Sequence, residues 1–166
     1  MHPQSPGISY RLLSWMLLPI WFLYAILHGN KNNVRHYYRL RCFGKQNQNR
    51  VRQVWVHASS VGEVESISPL VEGLLAQGEI VLFTSYTATG YTTIQNNFAD
   101  RVEASIIPID FIAPCWRFLR QQPIKCCLLM ETELWPELLY QTARKRIPLI
   151  QVNARLSDTS LKAPLF

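Results

Sequence analysis

Between residues 54 and 152 the sequence alternates five short β-prone runs with segments of helical period, and this restricts the fold more than any other feature. Val54–Ala58, Ile80–Thr84, Val102–Ile109, Lys125–Met130 and Pro148–Val152 read as strands. Glu63–Ala76 places Ile67, Leu70, Val71, Leu74 and Leu75 on one helical face. Pro69 is expected to kink or shorten that helix, and Gly78 to end it. Tyr91–Phe98 and Ala113–Gln121 read as further helices, the second closed by Pro123. Leu134–Arg146 reads as a last helix, with Pro136 in its first turn, where a missing N–H is tolerated. Lys125–Met130 lacks alternation and is expected to be buried on both faces. Strands separated by such helices predict βαβ units, a parallel sheet and a Rossmann-like α/β fold with right-handed crossovers. Sites in these sheets lie at the carboxyl ends of the strands. No Gly-x-Gly-x-x-Gly or Walker-type string is present, so nothing supports nucleotide binding by those motifs.

The 166 residues suit one domain with a sizeable core. Apolar residues make up 48%, which excludes a disordered chain, and four Cys are too few for a disulfide-dense module. The Cys lack metal-site spacing, and Cys126 and Cys127 read as small packed hydrophobes in a reducing compartment.

The net charge of +6 hides an asymmetry. Residues 1–62 hold eight Lys or Arg and no acid, whereas residues 63–166 hold nine bases and eleven acids. Within the basic part, Leu12–Leu27 is apolar apart from Ser14, with Pro19 breaking its middle. A full bilayer span needs about 20 apolar residues. The segment therefore reads as a short span or an interfacial helix, with Tyr10, Trp15, Trp21 and Tyr24 suited to the headgroup level. A buried core helix is the alternative. Residues 1–30 are expected as a membrane anchor and residues 31–52 as a basic juxtamembrane linker held by anionic lipid on the cytoplasmic side. No nucleic-acid motif accompanies the basic residues, and no nucleic-acid partner is expected.

Three loops fall at the carboxyl ends of the expected strands. The first is Ser59-Ser60-Val61-Gly62-Glu63. Gly62 would permit a tight turn and a close backbone approach, and Ser59 and Ser60 could cap the next helix. Glu63 in the first helical turn is either a rigidly held carboxylate suited to a general base or simply a capping glutamate. The second loop, Thr84-Ser85-Tyr86-Thr87-Ala88-Thr89-Gly90, is rich in hydroxyls. It could hold an anion or a sugar, or be an ordinary polar turn. The third, Met130-Glu131-Thr132-Glu133-Leu134-Trp135-Pro136, sets two carboxylates beside a helix start. Their roles could divide if their environments differ. After the fifth strand, Arg155 could pair with a phosphate or carboxylate.

These three strings, Ser59-Ser60-Val61-Gly62-Glu63, Met130-Glu131-Thr132-Glu133-Leu134-Trp135-Pro136 and Asn153-Ala154-Arg155-Leu156-Ser157, resemble the motifs of 3-deoxy-D-manno-octulosonic acid (Kdo) transferases in order and interval. The apolar N-terminus and basic stretch resemble that family as well. The resemblance implies the N-terminal, acceptor-side half of a GT-B glycosyltransferase at the cytoplasmic face of the bacterial inner membrane. It implies inverting transfer of Kdo from CMP-Kdo to a lipid A precursor, lipid IVA, in lipopolysaccharide synthesis, with no cofactor and no metal at the transfer step. By motif match Glu63 would be the general base and Glu131 would assist the transition state. Ser60, Gly62, Thr89, Gly90 and Arg155 would bind substrate. Ala88 stands where the family commonly has Pro. The family's second domain, which carries most of the CMP contacts, is not within residues 53–166, so a truncated form is expected. The alternative is a membrane-anchored acceptor-binding module, or an inactive fragment without transferase activity of its own.

Overall fold

The computed structural model describes residues 5–31, 34, 37–43, 51–131 and 135–153. Two helices come first, α1 (Ile8–Lys31) and α2 (Tyr37–Phe43). The α/β body follows as β1 (Gln53–His57), α3 (Val61–Ala76), β2 (Val81–Ser85), α4 (Ala88–Phe98), β3 (Glu103–Ile106), α5 (Ile112–Gln121), β4 (Ile124–Met130), α6 (Pro136–Arg144) and β5 (Leu149–Val152), with a single 3-10 turn over Ala99–Arg101.

All five strands are parallel, in the order β3-β2-β1-β4-β5. The fold is therefore the expected Rossmann-like α/β sheet, consistent with the N-terminal half of a GT-B enzyme, and an apolar helix precedes it. Side chains alternate across the sheet. Val54, Val56, Phe83, Leu128 and Met130 pack with Val64, Ile67 and Val71 of α3 and with Ile94 and Phe98 of α4. Trp55, Leu82, Cys127 and Leu129 pack on the other face with Cys115, Phe118 and Leu119 of α5 and Leu138 of α6. Burial pushes the Cys115 and Cys127 thiols well above their ordinary pKa, in keeping with a packing role.

Several boundaries differ from the sequence reading for local reasons. The α4 helix starts at Ala88, not Tyr91, because Thr87 caps it: Thr87 Oγ1 accepts the Gly90 N–H at 3.0 Å. The α3 helix runs unbroken through Pro69. Pro69 and Glu65 are both exposed, so the carbonyl that loses its N–H partner lies on the water side. Gly78, at φ 79°, ends the helix as expected. Its N–H reaches the Leu75 carbonyl and the Glu79 N–H reaches that of Leu74, both at 3.0 Å, the paired bonds of a Schellman ending. The third strand is shorter than Val102–Ile109 and stops before Pro108. The α1 helix likewise continues through Pro19.

The segment expected as a basic linker contains a helix, and one of its cations is withdrawn from any lipid surface. Arg41 of α2 is 1% exposed. Its Nη1 donates to the Tyr86 carbonyl at 3.0 Å and to the Tyr37 hydroxyl at 2.9 Å. Its guanidinium lies 4.1 Å from the centre of the Tyr86 ring, a close cation–π contact. The i, i+4 spacing of Tyr37 and Arg41 is visible in the sequence, but the partner that buries them is 45 residues from Arg41.

Candidate active site

The strand order places a topological switch at the centre of the sheet. From β1 the chain winds outward through β2 to β3, then returns to the other side of β1 with β4. Ligands of such sheets bind outside the carboxyl ends of the strands where the order reverses. Glu63 follows β1 and Glu131 follows β4, so the two expected catalytic carboxylates sit on the two strands that flank the switch.

Glu63 occupies the third position of α3, behind the N-cap Ser60. Its Oε1 accepts the Ser60 hydroxyl and its Oε2 the Ser59 N–H, each at 2.9 Å. Ser60 Oγ in turn accepts the Glu63 N–H at 3.4 Å. This is a capping box shifted by one residue, because the backbone donor is Ser59 rather than the cap itself. An ionised carboxylate has about four acceptor directions, so two bonds fix the group and leave acceptor capacity for a ligand hydroxyl. Gly62 does not make a tight turn. It lies inside the first turn of α3, exposed, and a Cβ there would meet nothing within 4 Å. Its smallness keeps open space beside Glu63.

A second loop clamps the first. The Ser59 carbonyl accepts three donors, Thr87 N–H, Thr87 Oγ1 and Ser85 Oγ, all at 3.1 Å. Thr89 is exposed and its hydroxyl donates to Thr87 Oγ1 at 3.3 Å. Gly90 is buried, and a Cβ on it would fall far inside contact distance of Ser85 Oγ and 3.0 Å from Thr87 Oγ1. Its N–H is taken by the Thr87 cap. Gly90 therefore serves the close packing of α4 on the end of β2, and the loop after β2 spends much of its polar capacity on holding Ser59.

Beneath both loops runs a buried polar chain that sequence reasoning did not single out. His57 is fully buried. Its Nδ1 lies 3.1 Å from the Thr84 carbonyl and 2.9 Å from Thr84 Oγ1, and its Nε2 lies 3.3 Å from Ser59 Oγ. A carbonyl only accepts, so Nδ1 carries the proton and Nε2 accepts the Ser59 hydroxyl. Trp55 Nε1 donates to Thr84 Oγ1 at 2.8 Å. Burial lowers the His57 pKa from 6.5 to about 3, helped by the charge of Arg41 and opposed by the Thr84 carbonyl. The neutral imidazole thus orients Ser59, whose N–H holds Glu63. A His at the carboxyl end of β1, two residues before the Ser pair, was the only sign of this in the sequence.

On the β4 side, Glu131 is half-buried with φ 55°, a left-handed conformation that non-glycine residues adopt at a cost. Its N–H donates to the Val152 carbonyl at 2.9 Å, and its carbonyl accepts Gln151 Nε2. The backbone of the residue is held by β5. Glu133 and Arg155 lie outside the described residues. Trp135 stacks on Tyr86, with ring centres 5.1 Å apart and planes 18° apart. Arg41, Tyr86 and Trp135 thus form one stack across the carboxyl ends of β2 and β4. Beside it, Tyr10, Ser14 and Trp21 of α1 face Arg41, Asp110 and Trp135 around a cavity of about 190 Å³. Among the described residues no three His, Cys, Asp or Glu side chains cluster closely enough to hold a metal ion.

A parallel α/β sheet with this strand order has its candidate site at the carboxyl ends of β1 and β4, where Glu63 and Glu131 follow the strands. Comparison with known proteins makes the class specific: residues 35–165 match the family model described as 3-Deoxy-D-manno-octulosonic-acid transferase (kdotransferase), and the chain belongs to that family. Over 114 residues it is 40% identical to the 3-deoxy-D-manno-octulosonic acid transferase of Bordetella pertussis, an alignment covering 66% of this chain and 27% of the relative. The Haemophilus influenzae transferase is 38% identical over 109 residues, 64% of this chain and 26% of the relative. The Rickettsia bellii transferase is 31% identical over 158 residues, 93% of this chain and 38% of the relative. The chain thus spans about a quarter to two-fifths of the length of these relatives.

Proposed function

We propose that this chain is the acceptor-side domain of an inverting Kdo transferase that moves Kdo from CMP-Kdo to a lipid A precursor, lipid IVA, at the cytoplasmic face of the inner membrane. The observation that carries the reading is Glu63, pinned by the Ser59 N–H and the Ser60 hydroxyl beside the switch point, in a chain of the Kdo transferase family. In the transfer step an acceptor hydroxyl attacks the anomeric carbon of Kdo. The bond to the CMP phosphate breaks, and the hydroxyl proton passes to the Glu63 carboxylate. Glu131, turned off the end of β4 by its left-handed backbone, assists the transition state from the other side of the switch. Ser60, Gly62, Thr89 and Arg155 contribute to substrate contact. Gly90 contributes through the packing of the loop rather than through its own N–H.

The donor contacts belong to a second domain supplied by the rest of the enzyme. Positioning the two substrates is worth several kcal/mol of barrier, so the isolated 166 residues are expected to turn over far more slowly than the whole.

The test is transfer of labelled Kdo from CMP-Kdo to a lipid A precursor on membranes carrying this chain. The assay is run with and without the C-terminal remainder of the Bordetella pertussis relative supplied in trans. Glu63→Gln should abolish transfer and leave acceptor binding within a few fold. Undiminished turnover in Glu63→Gln would remove the general-base assignment.

A further inference from the structure

The α1 helix is long and apolar enough to cross a bilayer by length and composition, yet one stripe of it is docked on the body from end to end. Tyr10, Arg11, Ser14, Leu18, Trp21 and Ala25 are the residues of that stripe drawn out of full exposure. At helical spacing they fall within an arc of about 100° and extend over about 22 Å. Their partners on the body are polar towards the start of the helix and apolar at Ala25. The Tyr10 hydroxyl donates to Asp110 at 2.6 Å, and Arg11 pairs with Glu137 at 3.0 Å. Trp21 lies beside Arg41, and Ala25 packs with Tyr37, Ala88 and Ile106. A helix crossing the hydrocarbon core, about 30 Å thick, would have to carry these carboxylates into it or leave them.

The opposite side of α1 is a continuous apolar face, including Leu12, Trp15, Met16, Ile20, Leu23 and Leu27, all exposed. This face does not stop at α1. Trp15 and Ile112 of α5 line the same small crevice. Ile112, Trp116 and Arg120 follow at i, i+4 spacing along α5, with Trp116 50% exposed and the Arg120 guanidinium 4.9 Å from its ring centre. No acidic residue occurs on α1, α2 or α5, while Arg39, Arg117 and Arg120 are exposed. Exposed Trp and aliphatic side chains with cations and no acids match an anionic bilayer surface. A second copy of the chain would bring the same positive charge to the same face.

We infer that α1 lies in the plane of an anionic bilayer surface, docked on the body rather than spanning, and that the Ile112–Trp116–Arg120 face of α5 enters the same interface beside it. This rests on the membrane reading above and gives it a geometry: the side of the body that carries α1 and α5 is held against the lipid.

The test uses the full chain with an epitope tag ahead of Met1. In spheroplasts, protease added outside should leave the tag intact and cleave it only after lysis, together with the body. On phosphatidylglycerol-containing vesicles, lipids brominated at shallow positions should quench Trp116 as well as Trp15, assigned by Trp116→Phe and Trp15→Phe. The double variant Ile112→Ser, Trp116→Ser should bind these vesicles at least fivefold more weakly with an unchanged far-ultraviolet spectrum. Cleavage of the tag in intact spheroplasts would overturn the in-plane geometry. An unquenched Trp116, or unchanged binding of the double variant, would overturn the part given to α5. None of these readouts uses transfer activity, so failure of the Kdo transfer reading and failure of this geometry are separable.

Discussion

Replacing Gly90 by Ala tests how the loop after β2 is built. The added Cβ would fall far inside contact distance of Ser85 Oγ, 3.0 Å from Thr87 Oγ1 and 3.2 Å from Ser85 Cβ. Overpacking of this kind costs about 1–3 kcal/mol. If Ser85 rotates to relieve it, the Ser85 hydroxyl loses the Ser59 carbonyl, a net hydrogen bond worth about 1 kcal/mol. Against this, Ala in place of Gly in a helix gains up to about 1 kcal/mol, less here because Gly90 lies in the first turn. The net expectation is a loss of about 1–2 kcal/mol. In a Ser85→Ala background the offending oxygen is gone, and only the looser contacts at Thr87 Oγ1, 3.0 Å, and at Cβ of residue 85, 3.2 Å, remain. There the Gly90→Ala step should fall to about zero. The assay is urea unfolding of the detergent-solubilised chain, with stability read from the shift in midpoint at constant slope. A Gly90→Ala cost below about 0.5 kcal/mol in the natural background would refute the reasoning. So would an equal cost in both backgrounds, because the coupling, not the single loss, isolates the contact with Ser85.

Acid should expose the buried imidazole. The folded pKa of His57 is lowered from 6.5 to about 3, so between those values the unfolded chain binds the extra proton. The contribution of His57 is then fully present above pH 6.5 and is lost as pH falls towards 3, by up to tenfold in the folding constant per unit; His57→Gln should flatten that part of the stability–pH curve measured by urea midpoints. Glu63→Asp keeps a carboxylate but shortens the reach to the Ser59 N–H, so it should lose transfer by tenfold or more and helix-cap stability by about 1 kcal/mol. Glu63→Gln, which keeps the length, should lose transfer with a smaller change in the urea midpoint.

The parallel sheet was legible because each strand and helix declares its own period. Five apolar runs and four amphipathic segments in alternation leave few other topologies, and their spacing alone puts Glu63 and Glu131 at strand ends. Boundaries were less legible, since they turn on single side chains such as Thr87 at the start of α4 and on where β3 loses its partner before Pro108. The burial of Arg41 was not legible at all. A cation in a run of seven bases reads as a solvated or lipid-facing charge, and only the fold brings Tyr86 and Trp135 to it. The role of His57 was hidden for the same reason: Ser59 is near it in sequence, but Thr84, which sets its tautomer, comes from the neighbouring strand.

The capping and catalytic readings of Glu63 are alternatives in sequence, and the hydrogen bonds around it in the fold are compatible with both. A capping glutamate needs only the Ser60 hydroxyl and a backbone donor. Here the donor is Ser59, and Ser59 is held by more than a cap requires: His57 takes its hydroxyl, and Ser85 and Thr87 take its carbonyl. The His57 contact desolvates an imidazole that could have remained in water. A cap alone gives no reason for that expense, since Ser60 would terminate α3 equally well without it. A carboxylate that must meet an acceptor hydroxyl within hydrogen-bond reach gives one, because misplacement of a base by about 1 Å costs on the order of a hundredfold in rate. The rigid support under Ser59 therefore adds to what the pinning of Glu63 beside the switch point favours.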